Sequence, residues 1–125
     1  MLILVDSSVW IDYFRSGEKS EKLDLIIDEN LVAINDLILA ELIPFLRVRN
    51  ERKIIRLLNA ICKLPLSIQW GRVIEWQYEC LKNGFNGIGI PDLIIAQNAE
   101  QNQCQIYSLD NHFKLMKNIF RIELI

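Results

Sequence analysis

Histidine occurs once in this chain of 125 residues, and the three cysteines, Cys62, Cys80 and Cys104, are odd in number and far apart. With no C-x-x-C pair and no cluster of histidines, neither a disulfide framework nor a thiolate or imidazole zinc site is expected. Reduced thiols in a cytoplasm fit that pattern. No apolar run approaches the roughly 20 residues that span a bilayer, and no basic stretch precedes the apolar start. A soluble, cytoplasmic protein without a membrane partner is therefore expected. Positive charge is also in short supply: 14 Lys and Arg against 16 Asp and Glu give a net charge of −2, which argues against capture of nucleic acid by the whole surface. It leaves a nuclease open, because carboxylates that hold cations count as negative until the metal is bound.

What the chain has in quantity is apolar residues, 51% against 24% charged. That composition supplies one globular domain over residues 1–125, long enough to bury roughly two-thirds of its unfolded surface. Leu2 to Val5 is an unbroken apolar run ending at Asp6. An unbroken run reads as a strand covered on both faces, as in parallel sheets flanked by helices. A helix follows from Val9 to Phe14, with Ser7 or Ser8 as its cap, and stops near Ser16-Gly17. Asp6 then lies at the carboxyl edge of an α/β sheet, where ligands bind, although an N-cap role accounts for it equally well.

The remaining chain repeats this alternation. Glu18 to Asp28 reads as an amphipathic helix, Leu31 to Ile34 as a second buried strand, and Leu37 to Ile43 as an apolar helix capped by Asp36. Glu41 interrupts that apolar helix, so it either reaches solvent, with Arg47 or Arg49 as partner, or lines a cleft. Pro44 predicts a kink or restart. The basic stretch from Arg47 to Arg56 reads as a solvated helix face or a contact for phosphates, with Asn50 capping a helix to Ile61.

Lys63 to Ser67 is a short edge strand at best, because of Pro65. Ile68 to Lys82 carries Trp70 and Trp76 on a stripe that suits core or interface. The glycines at 84, 87 and 89 follow no phosphate-loop spacing and read as a connection. Pro91 opens a largely buried helix with Asp92 in its first turn. Cys104 to Leu109 is a further strand with Asp110 after it, and Ile119 to Ile125 an edge strand.

Four carboxylates, Asp6, Glu41, Asp92 and Asp110, thus fall at strand ends or inside apolar helices that a parallel sheet brings to one edge. Each has a bland explanation, such as capping. Together they suggest a shared site, since converging carboxylates repel unless a cation neutralises them, and oxygen ligands select Mg²⁺ or Mn²⁺. His112, two residues past Asp110, reads as a bystander or a phosphate contact rather than a general base.

The motifs Val5-Asp6-Ser7-Ser8-Val9-Trp10, Leu39-Ala40-Glu41-Leu42, Pro91-Asp92-Leu93-Ile94-Ile95-Ala96 and Ser108-Leu109-Asp110-Asn111-His112-Phe113 resemble those of PIN-domain ribonucleases. Length and motif order are similar to the VapC toxins of toxin–antitoxin pairs. The resemblance implies an α/β/α sandwich with a mainly parallel sheet and a Mg²⁺- or Mn²⁺-dependent endoribonuclease acting on RNA. It further implies a homodimer and a VapB antitoxin that blocks the site. It assigns metal binding and catalysis to Asp6, Glu41, Asp92 and Asp110, and supporting roles to Ser7 and Ser108. Asn111 and His112 stand where some relatives carry a further acid. Two other readings are an inactive PIN scaffold and a haloacid-dehalogenase-like phosphatase. The second needs an acid two residues beyond Asp6, where this chain has Ser8.

Overall fold

A computed structural model describes residues 1–125. Its centre is β1 (Ile3–Val5), in which every residue is buried. The chain continues through α1 (Ser7–Arg15), α2 (Lys22–Asp28), β2 (Val32–Ile34), α3 (Asp36–Val48), α4 (Arg52–Ala60) and β3 (Cys62–Lys63). It then forms α5 (Trp70–Lys82), α6 (Ile90–Gln101), β4 (Gln105–Tyr107), α7 (Asn111–Lys117) and β5 (Glu123–Leu124). The sheet order is β3-β2-β1-β4-β5, and every pairing is parallel. Leu4 faces Ala33 on one side and Ile106 on the other, all three fully buried. The expected α/β/α sandwich is what the chain adopts.

Helix contacts fall into two sets, α1 with α3 and α3 with α4, and α5 with α6 and α6 with α7. Right-handed crossovers put these sets on opposite faces of the sheet. From β1 the chain builds β2 and β3 outward on one side, and β4 and β5 complete the other. The order therefore reverses between β1 and β4, and their carboxyl ends form the switch point at which such sheets open a crevice. Because helices run back across the sheet, α1, α3, α6 and α7 all begin at this edge, their positive dipole ends towards it.

Local details depart from the sequence expectations in several places. Asn35, not Asp36, caps α3: its Oδ1 accepts from the Ile38 N–H at 2.9 Å while its amide donates to Asn98 Oδ1 at 2.9 Å. A buried position that must both accept and donate suits an amide better than a carboxylate. Asp36 instead pairs with Lys63 on the surface. Second, α3 runs through Pro44 without a break, because Ile38, Leu42 and Leu46 recur on its buried side and anchor it on both sides of the proline. Their burial outweighs the cost of about 3 kcal/mol for an interior proline. Third, Asn50 does not cap α4; it takes a positive φ of 56° beyond α3, and Glu51 precedes α4.

The helix expected from Glu18 begins only at Lys22. The intervening turn is tied to α1 by Asp12, whose Oδ2 accepts from the Lys19 N–H at 3.0 Å and the Ser20 hydroxyl at 2.7 Å. Trp76 is buried and stacked on Phe120, with ring centroids 4.4 Å apart, whereas Trp70 is exposed.

Candidate metal centre at the switch point

Asp6 follows the central strand directly, and its backbone N–H extends the ladder to the Tyr107 carbonyl at 2.9 Å. It occupies the position before α1, yet its side chain makes no capping bond. Instead Oδ2 accepts from the Ser8 hydroxyl at 2.8 Å and the Ser108 hydroxyl at 2.9 Å. Those serines are themselves fixed: Ser8 Oγ accepts from the Leu109 N–H and Ser108 Oγ from the Asp110 N–H. The carboxylate of Asp6 is thus buried and held from both strand ends, β1 and β4. Ser108 supports an acid, as its place in the motif implies; the partner on the α1 side is Ser8 rather than Ser7.

Asp110 caps α7, its Oδ1 accepting from the His112 N–H at 2.9 Å. The capping explanation is therefore true of Asp110 and does not take it out of the crevice. Asp92 lies in the first turn of α6, with Pro91 ahead of it and a continuous buried run from Leu93 to Ala99 behind. That burial, with the amides of Asn98 and Gln97 bonded to Pro65 and Gln69, fixes where α6 starts. Glu41 stands exposed on α3 and pairs with neither Arg47 nor Arg49; Arg49 lies over the Phe45 ring at 4.6 Å instead.

The acids feel one another. The carboxyl of Glu41 is pushed above the usual range first by desolvation, then by the charges of Asp6 and Asp92. That of Asp92 is pushed up by desolvation, and further by Asp110 and Asp6, against a lowering by its hydrogen bond to His112. The charges of Asp6 and Asp92 thus act on Glu41, and those of Asp110 and Asp6 on Asp92, while Asp6 and Glu41 stand outside the cluster that Asp92 forms with Asp110 and His112. None of the four forms an ion pair with lysine or arginine.

The only basic group among them is His112, whose Nδ1 lies 2.8 Å from Asp92 Oδ2 and 3.3 Å from Asp110 Oδ1. By sequence it reads as a bystander or phosphate contact, and nothing along the chain signals its approach to Asp92, 20 residues upstream. One ligand atom from each of Asp92, Asp110 and His112 falls within 4.8 Å of the others. A set of hard oxygen donors whose mutual repulsion lacks a compensating ammonium or guanidinium group is one that a divalent cation fits.

The family model described as PIN domain matches residues 3–119, so the chain belongs to the PIN domain family, whose members are generally nucleases. No curated protein matches it by sequence. Among solved structures it is similar to VapBC2 of Rickettsia felis bound to a promoter DNA fragment, at 22% identity and a TM-score of 0.77, covering 100% of this chain and 98% of that one. It is also similar to DNA-bound VapBC of Salmonella typhimurium, at 17% identity and a TM-score of 0.75 over 100% and 98% of the two chains. FitAcB of Neisseria gonorrhoeae shares the fold at 18% identity and a TM-score of 0.67, over 99% and 96%.

Proposed function

We propose that this chain is a single PIN domain acting as a VapC-like toxin, an endoribonuclease that cleaves RNA phosphodiester bonds with Mg²⁺ or Mn²⁺ held by Asp6, Glu41, Asp92 and Asp110. The observation that carries the reading is the cluster of Asp92, Asp110 and His112, whose ligand atoms lie within 4.8 Å of one another, with the charge of Asp6 felt by both Asp92 and Glu41. Two carboxyls on separate helices, Glu41 and Asp92, raised by desolvation and by other acids nearby, are an arrangement that function explains and packing does not.

The roles divide by surroundings. Asp6 is the fixed point, since two hydroxyls orient it from below. Asp92 stands in the first turn of α6 and Asp110 caps α7, each at a helix start. Glu41, exposed, closes the set from α3. A divalent ion bound here would supply the electrostatic stabilisation of charge on phosphate and leaving oxygen, and the means of making water nucleophilic at neutral pH. Helix N-termini around the crevice favour an approaching phosphate.

VapBC complexes among the similar structures support a VapB-like antitoxin as the inhibitory partner. An exposed stripe on α5, Trp70, Ile74, Tyr78 and Leu81, supports a homodimer by offering apolar surface for a second copy. Both partners fit a cytoplasmic protein. Purified protein incubated with structured RNA and Mg²⁺, Mn²⁺ or EDTA tests the assignment. Metal-dependent cleavage that disappears in Asp6→Asn is the expected result; inertness with every metal would favour a non-catalytic PIN scaffold.

A further inference from the structure

The ring of His112 lies between Asp92 and Asp110, two of the acids assigned to metal. Resting on that assignment, we propose that His112 is a nitrogen ligand to the divalent ion held by Asp92 and Asp110, and that it biases this position towards Mn²⁺ over Mg²⁺. Two ligands at right angles on an ion with bonds of about 2.1 Å stand about 3.0 Å apart. His112 Nδ1 lies 2.8 Å from Asp92 Oδ2 and 3.3 Å from Asp110 Oδ1, near that spacing, and one ligand atom from each of the three residues falls within 4.8 Å of the others. The same pair of atoms can share a proton instead, so binding an ion requires Nδ1 to give that proton up.

The ring is held in place for this. The backbone N–H of His112 is bonded to the capping carboxylate of Asp110, and its neighbour on α7, Phe113, is almost fully buried. Asp110 and His112 are therefore a chelating pair on one helix start, completed by Asp92 from α6. On the far side the ring meets the glycine loop: a Cβ at Gly87 would lie 3.4 Å from His112 Nε2. Packing of α7 is secured by Phe113 and Met116, and the imidazole itself is part-exposed and reachable from solvent. Its chemistry sets the metal preference, because Mg²⁺ is served by oxygen ligands while an imidazole nitrogen favours transition ions.

The test is spectroscopic and thermodynamic, and it does not depend on RNA cleavage. Wild-type protein loaded with Mn²⁺ is expected to show ¹⁴N coupling in electron spin-echo envelope modulation, and the coupling is expected to vanish in His112→Gln and His112→Ala. By calorimetry both variants are expected to bind Mn²⁺ about tenfold or more weakly, with a much smaller change for Mg²⁺. A His112→Gln variant that keeps the Mn²⁺ preference would reduce the histidine to a positioning hydrogen bond and overturn the proposal. Mn²⁺ bound to the wild type without nitrogen coupling would overturn it too while leaving the four-acid reading intact. Failure of the wild type to bind any divalent ion would overturn both.

Discussion

Two groups of polar side chains sit in the same frame and obey opposite rules. On one side is the amide network. Asn35 and Asn98 are almost completely buried, yet each donates and accepts, Asn35 with Ile38 and Asn98, Asn98 with Asn35 and Pro65. Gln97 exchanges two hydrogen bonds with the Gln69 backbone. On the other side are four acids, Asp6, buried, and Glu41, Asp92 and Asp110, more accessible, with negative charge from their neighbours acting on Glu41 and Asp92. Satisfied neutral groups at the junction of β2, α3 and α6 hold the frame together. The carboxyls of Glu41 and Asp92, raised first by desolvation and then by neighbouring negative charge, weaken it until something positive arrives. The contrast separates polar residues whose hydrogen bonds hold the fold from the acids that we propose bind metal.

The sharpest break of this comparison is Asp92→Asn. Perturbing a ligand's supporting partners typically costs 10- to 100-fold, so loss of a ligand is expected to lower metal-dependent RNA cleavage by at least about a hundredfold. Thermal stability in EDTA is expected not to fall, because a repelling charge has gone. Wild-type cleavage, measured on a labelled RNA, would place Asp92 with the structural group.

Asn98→Ala tests the opposite side. It strands the buried Asn35 amide and takes the donor from the carbonyl of the exposed Pro65, and is expected to cost about 1 to 3 kcal/mol in urea unfolding. A neutral result would mean that the network is ornamental.

Ser108→Ala should act more gently, removing one of two donors to Asp6 and weakening Mn²⁺ binding roughly tenfold by calorimetry.

The smallest effect is in pH. Glu41 and Asp92 have folded-state pKa values above their unfolded ones, so the folded chain binds protons more readily. Their contribution is present in full below the unfolded carboxylate pKa and is lost as pH rises through the raised values. In EDTA the melting temperature is therefore expected to rise slightly as pH is lowered through the raised values towards the unfolded carboxylate pKa. Saturating Mn²⁺ should reverse that trend, since the ion binds the ionised, assembled site. A flat profile in EDTA would mean that the acids are not in conflict.

Much of the fold was legible along the chain. The unbroken apolar run of β1, the buried run of α6 and the acid after β4 are all local patterns, and local patterns determine a parallel sheet with helices between its strands. Several fine points were not. Choosing Asn35 over Asp36 as the cap depended on Asn98, 63 residues away, and the persistence of α3 across Pro44 depended on what lay beneath Leu42 and Leu46.

Sequence alone determined which acids end strands or open helices, because hydrophobic periodicity and capping are matters of a few neighbouring residues. Only the tertiary structure decided that Ser8 and Ser108 grip the same carboxylate oxygen and that His112 reaches Asp92. Those contacts join segments 100 and 20 residues apart. They exist because the strand order reverses between β1 and β4, a property of the assembled sheet that no single stretch of chain contains.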